Sequence, residues 1–282
     1  MSTSGDAVAE SGGQGPTVLA DVDEGVATVR LHRPHRNNAW TGRMSAEYRS
    51  VMAELEARDD VRVVVVTGSG RAFCVGGDSS ALEGHARSGG YDSGLPPDLA
   101  SPGGGDRLDA DLAWQLGFRV PIVAAVNGAC AGVGLALAMF CDLRFVAGPA
   151  RMTTAAPKLG LPAEYGLSWI LPRLVGVTRA NDLLLSGRVF TGVETADWGL
   201  WNGVLPDGPA TLEAATDWAR TLVGSAGPRA VETTKRQITA DLLRHDPAAS
   251  VNESVELLDD AMGTDEYREG IAAFVERRPP RF

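Results

Sequence analysis

The chain has 282 residues, 44% of them apolar and 22% charged, which is enough to build the core of one large domain. Its formal net charge of −10 argues against nucleic acid and anionic membrane surfaces as partners. No run approaches the roughly 18 apolar residues of a membrane span. The N-terminus also lacks the basic-then-apolar pattern of a secretory leader.

Met1–Gly15 is polar and rich in Gly, Ser and Ala, so a disordered tail is expected there. Thr17–Asp21 and Val26–Leu31 are β-rich runs flanking Asp23-Glu24-Gly25, which predicts a hairpin. Met44, Tyr48, Val51, Met52 and Leu55 recur at helical spacing and predict an amphipathic helix over Thr41–Arg58. An apolar strand over Val61–Thr67 then leads into the glycine turn Arg71-Ala-Phe-Cys-Val-Gly-Gly-Asp78. Gly84–Arg107 has many Gly, Ser and Pro residues and little periodicity. A loop of that length inside a domain is expected to be either mobile or functional. Strand Ile122–Val126 enters a second glycine turn, Ala125-Val-Asn-Gly-Ala-Cys-Ala-Gly-Val-Gly134, followed by a helix over Gly134–Phe140 and a strand over Leu143–Ala147.

Beyond Gly187 the pattern is helical. Thr191 with Glu194, and Ser250 with Glu253, have capping-box spacing. Helices are predicted over Gly192–Trp198, Ala210–Val223, Arg229–Leu242, Val251–Met262 and Asp265–Arg277. The chain is thus read as a tail over 1–15, an α/β core over 16–200 and a helical segment over 201–282. Cys74, Cys130 and Cys141 sit in apolar settings without metal spacing and read as reduced thiols of a cytoplasmic protein. The four histidines have no metal spacing either, and Ser168 lacks the context of a hydrolase nucleophile.

Two glycine turns, each following an apolar strand, can aim backbone N–H groups at one point, and a converging pair can hold the oxygen of an enolate. Either turn alone is also compatible with tight packing of helix on strand. A dinucleotide-binding turn is disfavoured at Gly132-Val-Gly134, because Leu137 occupies the place of the third glycine.

The two turns and their order resemble the crotonase (enoyl-CoA hydratase/isomerase) superfamily. Further segments carry the same likeness: Leu31-His-Arg-Pro-His-Arg-Asn-Asn-Ala-Trp40, Gly160-Leu-Pro-Ala-Glu-Tyr-Gly166, Trp169-Ile-Leu-Pro-Arg-Leu-Val-Gly176 and Phe274-Val-Glu-Arg-Arg-Pro-Pro280. The resemblance implies an α/β spiral of β-β-α units with a helical C-terminal trimerisation segment, assembled as a homotrimer or dimer of trimers. It implies an acyl-CoA substrate and no cofactor, coenzyme A being part of the substrate. Arg36 would then lie near the phosphates, and Asn38 and Ala39 would close one wall of the site. Gly77 and Val133 would donate their N–H groups to the thioester oxygen. Asp78 either caps a helix after the first turn or adjoins substrate. Trp40, Trp114 and Trp169 either line an acyl pocket or belong to the core.

Hydratases of the family hold a water between two glutamates. Those positions fall on Ala136 and Ala156 here. The acid left in the expected catalytic loop is Glu164, where some family isomerases and an aryl-CoA dehalogenase carry their working carboxylate. Leu161, Pro162, Leu167 and Trp169 are expected to surround it and raise its pKa. One base suffices for a 1,3-proton shift, whereas hydration needs an acid and a base. The sequence therefore favours a Δ3–Δ2 enoyl-CoA isomerase in fatty acid metabolism. The alternatives are a non-catalytic acyl-CoA binder, or a family dehalogenase, decarboxylase or hydrolase.

Overall fold

Val63–Val66 are four valines in a row, all buried. Such a run suits a strand covered on both faces. In the computed structural model, which describes residues 15–79, 83, 84, 87 and 108–282, they form β3 (Val63–Gly68). Val64 and Val66 enter the main core, while Val63 and Val65 face a second, smaller one. That division follows from the two-residue period of a strand. The expected tail lies outside the described residues except for Gly15, as does the expected loop over 84–107 except for Gly84 and Arg87.

β3 is flanked by β2 (Val26–Leu31) and β5 (Ile122–Val126) in a six-stranded sheet. β1 (Val18–Asp23) pairs antiparallel with β2 as a hairpin, and β7 (Leu143–Ala147) and β10 (Gly203–Leu205) extend the sheet in parallel beyond β5. A four-stranded sheet contains β4 (Ala72–Cys74), β6 (Ala129–Ala131), β8 (Arg151–Thr153) and β9 (Phe190–Thr191). Successive pairs β3–β4, β5–β6 and β7–β8 each place their first strand in the large sheet and their second in the small one. The chain therefore advances as a spiral of two-strand steps, and both glycine turns fall at the same level of it.

Helix α1 (Gly42–Glu56) starts where the Thr41 hydroxyl accepts the Met44 N–H at 3.2 Å, and it buries Met44, Tyr48, Met52 and Leu55. α2 (Val133–Met139) is buried at every residue. α3 (Leu167–Ser186) is the longest helix among the described residues and breaks at Gly176 (φ 77°, ψ 159°). α4 (Gly208–Ser225) packs Ala215 and Ala219 on the valines of the second core. The start of the expected C-terminal segment therefore covers the sheet. α5 (Pro228–Leu242), α6 (Pro247–Met262) and α7 (Asp265–Glu276) follow.

Two expectations need correction. Gly192–Trp198 is a turn followed by a short 3-10 segment, Ala196–Trp198. The Thr191 hydroxyl does accept the Glu194 N–H at 3.2 Å, so the capping chemistry is present without the α-helix. α6 begins four residues earlier than predicted, because Asp246 rather than Ser250 is its cap: Asp246 Oδ1 accepts the Ala249 N–H at 3.1 Å. The Ser250 hydroxyl instead donates to Asp241 Oδ2 at 2.6 Å.

One buried ion pair ties the C-terminal helices to the core. Lys235 on α5 donates to Asp142 Oδ2 at 2.6 Å and to the carbonyls of Gln115 and Val120 at 3.1 and 3.0 Å. Its compact ammonium satisfies three converging acceptors, a geometry the planar guanidinium of arginine fits poorly. Asp142→Ala leaves that ammonium buried without its counter-charge, and we expect it to cost about 3 kcal/mol in denaturant unfolding. A loss below about 1 kcal/mol would show that the two carbonyls hold the charge adequately.

Candidate active site

The first turn is fixed by Trp40, which forms a single parallel bridge to Gly77. The Trp40 N–H donates to the Gly76 carbonyl at 2.8 Å, and the Asp78 N–H donates to the Trp40 carbonyl at 2.9 Å. In a parallel bridge the residue between those two bonds turns its own N–H to the other side. Among the described residues, the Gly77 N–H has no acceptor. In the second turn the Gly132 N–H donates to the Thr153 carbonyl at 3.1 Å. Val133 is the first residue of α2, where N–H groups lack intrahelical partners, and no side chain caps it. Its N–H is likewise without an acceptor among the described residues.

The turns are pressed together. β4 pairs with β6 at Cys74 and Cys130. A β-carbon on Gly134 would stand 2.4 Å from the Cys74 carbonyl oxygen, so only glycine permits this approach.

Glu164 reaches the strip between them. A β-carbon on Gly132 would lie 3.7 Å from Glu164 Oε2 and 3.8 Å from the Gly76 Cα. Gly132 has φ 50° and ψ −119°, a conformation closed to other residues, and this brings bare backbone up to the carboxylate. The loop carrying Glu164 turns back through Tyr165 (φ 48°) and Gly166 (φ 73°) into α3. Glu164 is half-buried, and desolvation raises its pKa above the ordinary carboxylate value. Of the apolar residues expected around it, Leu167 is buried but Leu161 and Pro162 are exposed.

Val133 also borders a pocket open to solvent. Trp40, Tyr48 and Trp114 form an aromatic wall along it, with ring centroids 5.9 Å apart for the first pair and 5.8 Å for the second. No group of three or more His, Cys, Asp or Glu among the described residues is placed to hold a metal ion.

Comparison with known proteins gives a family match, described as enoyl-CoA hydratase/isomerase, over residues 21–282. The chain belongs to that family. A mevalonyl-coenzyme A hydratase of Beauveria bassiana is 32% identical over 259 residues, covering 90% of each chain. A 1,2-epoxyphenylacetyl-CoA isomerase of Escherichia coli is 31% identical over 94% of this chain and 97% of its own. Among solved structures, an enoyl-CoA hydratase from Mycobacterium tuberculosis superposes with a TM-score of 0.81 at 28% identity, covering 95% of this chain and 98% of that one.

Within this enoyl-CoA hydratase/isomerase chain, the remaining candidates divide by what their side chains touch. Ala136 and Ala156 are both buried. Asn38 is buried and spent on backbone: Oδ1 accepts the Arg33 N–H at 2.9 Å, and Nδ2 donates to the carbonyls of Ser69 and Ala72 at 3.0 and 2.8 Å. It shapes the wall, and Ala39 lies buried beside it. Asp78 pairs with Arg33 at 3.0 Å and with Arg36 at 3.4 Å. Asp78 directly precedes Ser79, which with Glu83, Gly84 and Arg87 is helical among the described residues. Arg36 is exposed at the rim, its Nη2 also 3.4 Å from the Ser79 hydroxyl. Trp114 lines the pocket. Trp169 instead stacks on Phe140 at 6.4 Å, with the Arg173 guanidinium 4.0 Å over its ring.

Sequence reasoning passed over Tyr48, Arg49, Asp111 and Tyr165, which also line the pocket. Tyr48 was counted only as a core position of α1. Asp111 lies just past the long Gly-rich segment, where no periodicity marks a buried face.

Proposed function

We propose that this protein binds an acyl-CoA thioester and isomerises a 3-enoyl to a 2-enoyl group through an enolate. The observation that carries this reading is Glu164 Oε2 facing Gly132 between two turns whose Gly77 and Val133 N–H groups lack acceptors among the described residues. The Glu164 carboxylate takes a proton from C2. The electron pair moves toward the thioester carbonyl, and the resulting dienolate oxygen is held by the two N–H groups. Glu164 then returns the proton to C4, leaving a C2–C3 double bond. Every atom is accounted for without water or a redox partner. Hydration is disfavoured by alanine at both positions where family hydratases carry glutamate. Desolvation suits Glu164 to the task, since a carboxylate with a raised pKa is the stronger base. Relatives named for hydration and for isomerisation of CoA esters support the thioester substrate.

The test is a paired assay with a 3-enoyl-CoA and crotonyl-CoA. Isomerisation of the first without hydration of the second is expected. Hydration at a comparable rate would contradict the reading, and binding without turnover would make the protein an acyl-CoA carrier.

We also infer a homotrimer or a dimer of trimers. No residue of α6 is buried, yet Val251, Val255, Leu258 and Met262 form an exposed stripe at helical spacing. Ile271, Phe274 and Val275 on α7 are exposed as well. An apolar stripe of this kind calls for a partner surface. Sedimentation should give a multiple of three chains, and the double substitution Val255→Glu with Leu258→Glu should shift it to monomer. A monomeric wild type would contradict the inference.

A further inference from the structure

Two of the side chains lining the pocket beside Val133 are charged groups that the proton shift does not use. Arg49, next to Tyr48 on α1, has its Nη1 buried without a hydrogen-bond partner among the described residues. Its Nη2 reaches Asp109 Oδ1 at 3.3 Å, and its guanidinium carbon lies 5.8 Å from the Trp114 ring centroid. Asp111 lines the same pocket, half-buried, and accepts no hydrogen bond among the described residues. Burial pushes the Asp111 carboxyl up, and the charge of Arg49 pulls it back.

A guanidinium keeps its proton in any protein setting, so a buried Nη1 is a donor that needs an acceptor. A carboxylate beside it needs a donor. The aromatic wall of Trp40, Tyr48 and Trp114 shares the space around the pair with the hydroxyl-bearing Ser45 and Tyr165. An alkyl chain entering that space would leave both groups unsatisfied, and each would cost desolvation without return. A carboxylate would meet Asp109 and Asp111, two negative charges against one guanidinium. A hydroxyl satisfies both groups at once, accepting from Arg49 Nη1 and donating to Asp111.

We propose that this pocket selects acyl-CoA thioesters whose acyl chain carries a hydroxyl group, held between Arg49 and Asp111. The proposal rests on the reading of the site as an acyl-CoA site. It adds the class of acyl group, with Arg49 and Asp111 as the specificity-determining residues.

The test is calorimetric and uses saturated thioesters that cannot react: hexanoyl-CoA, adipyl-CoA, and hexanoyl-CoAs hydroxylated at C4, C5 or C6. At least one hydroxyhexanoyl-CoA should bind about tenfold tighter than hexanoyl-CoA, the gain expected of a charge-assisted hydrogen bond. Adipyl-CoA should bind no tighter than hexanoyl-CoA. In Arg49→Met and in Asp111→Ala the ratio of hexanoyl to hydroxyhexanoyl dissociation constants should collapse toward one. The ratio is insensitive to a general loss of folded protein, and circular dichroism checks the fold. Hexanoyl-CoA binding as tightly as every hydroxylated form overturns the proposal and leaves the enolate chemistry standing. A preference for adipyl-CoA, or a hydroxyl preference that survives both substitutions, also overturns it. Failure of every acyl-CoA to bind overturns both this proposal and the reading beneath it.

Discussion

Glu164→Gln is expected to lower turnover of a 3-enoyl-CoA by about 10²- to 10⁴-fold, the usual worth of a positioned general base. Glutamine keeps the size and burial of the side chain and removes only its ability to carry the proton. KM should change little, because in the proposed site the two turns, and not this carboxylate, hold the thioester. The pH profile gives a second reading of the same residue. The ionised carboxylate is the active form, and desolvation holds its pKa above the ordinary value. The rate should therefore rise with pH through a limb displaced above the ordinary carboxylate range, and that limb should vanish in the variant. Stability follows by linkage. A folded-state pKa above the unfolded one gives stability that is fully present below the unfolded pKa and lost as pH rises through the folded pKa. Glu164→Gln should accordingly unfold at a higher temperature than wild type near neutral pH. Wild-type turnover in the variant would remove Glu164 from the mechanism.

The second large effect concerns a backbone atom. Val133→Pro deletes the N–H expected to hold the enolate oxygen, and the loss of one such donor costs about 10²- to 10³-fold in kcat. The first position of a helix tolerates proline, because its N–H has no intrahelical partner to lose. The fold should survive with α2 intact, as circular dichroism and unfolding would show. Val133→Ala, which keeps the N–H, should lose far less. Equal losses in the two variants would mean that the side chain packed in the pocket matters and the donor does not.

Where one periodicity dominated, the sequence was a good guide. The strands over Ile122–Val126 and Leu143–Ala147 stand at their predicted bounds. α1, α5 and α7 lie within a residue or two of theirs. The spiral was implied by the family resemblance that the two glycine turns and their order carry. α3 was not predicted as a helix, because Pro172 and Gly176 interrupt its pattern; the structure accommodates the interruption as a break at Gly176. The Lys235–Asp142 pair was equally hidden, since 93 residues separate its members and only the fold brings them together.

The chemistry of the site was legible only in part. Glycines at Gly77 and Gly132 and the acid at Glu164 belong to short local patterns that a sequence displays. Arg49 and Asp111 line one pocket from a helix and from the far side of a long connection, with no fixed spacing to betray them. Asn38 carried a motif signal, yet its side chain serves the backbone of the neighbouring loop and not the cavity.

The central claim is that the N–H groups of Gly77 and Val133 converge on a thioester oxygen. Infrared difference spectroscopy of a bound, unreactive acyl-CoA labelled with ¹³C at its carbonyl tests this most directly. The account predicts that the carbonyl band moves to lower wavenumber on binding, as two hydrogen bonds polarise it, and moves back most of the way in Val133→Pro. A band at its free-solution position in the wild-type complex would contradict the account.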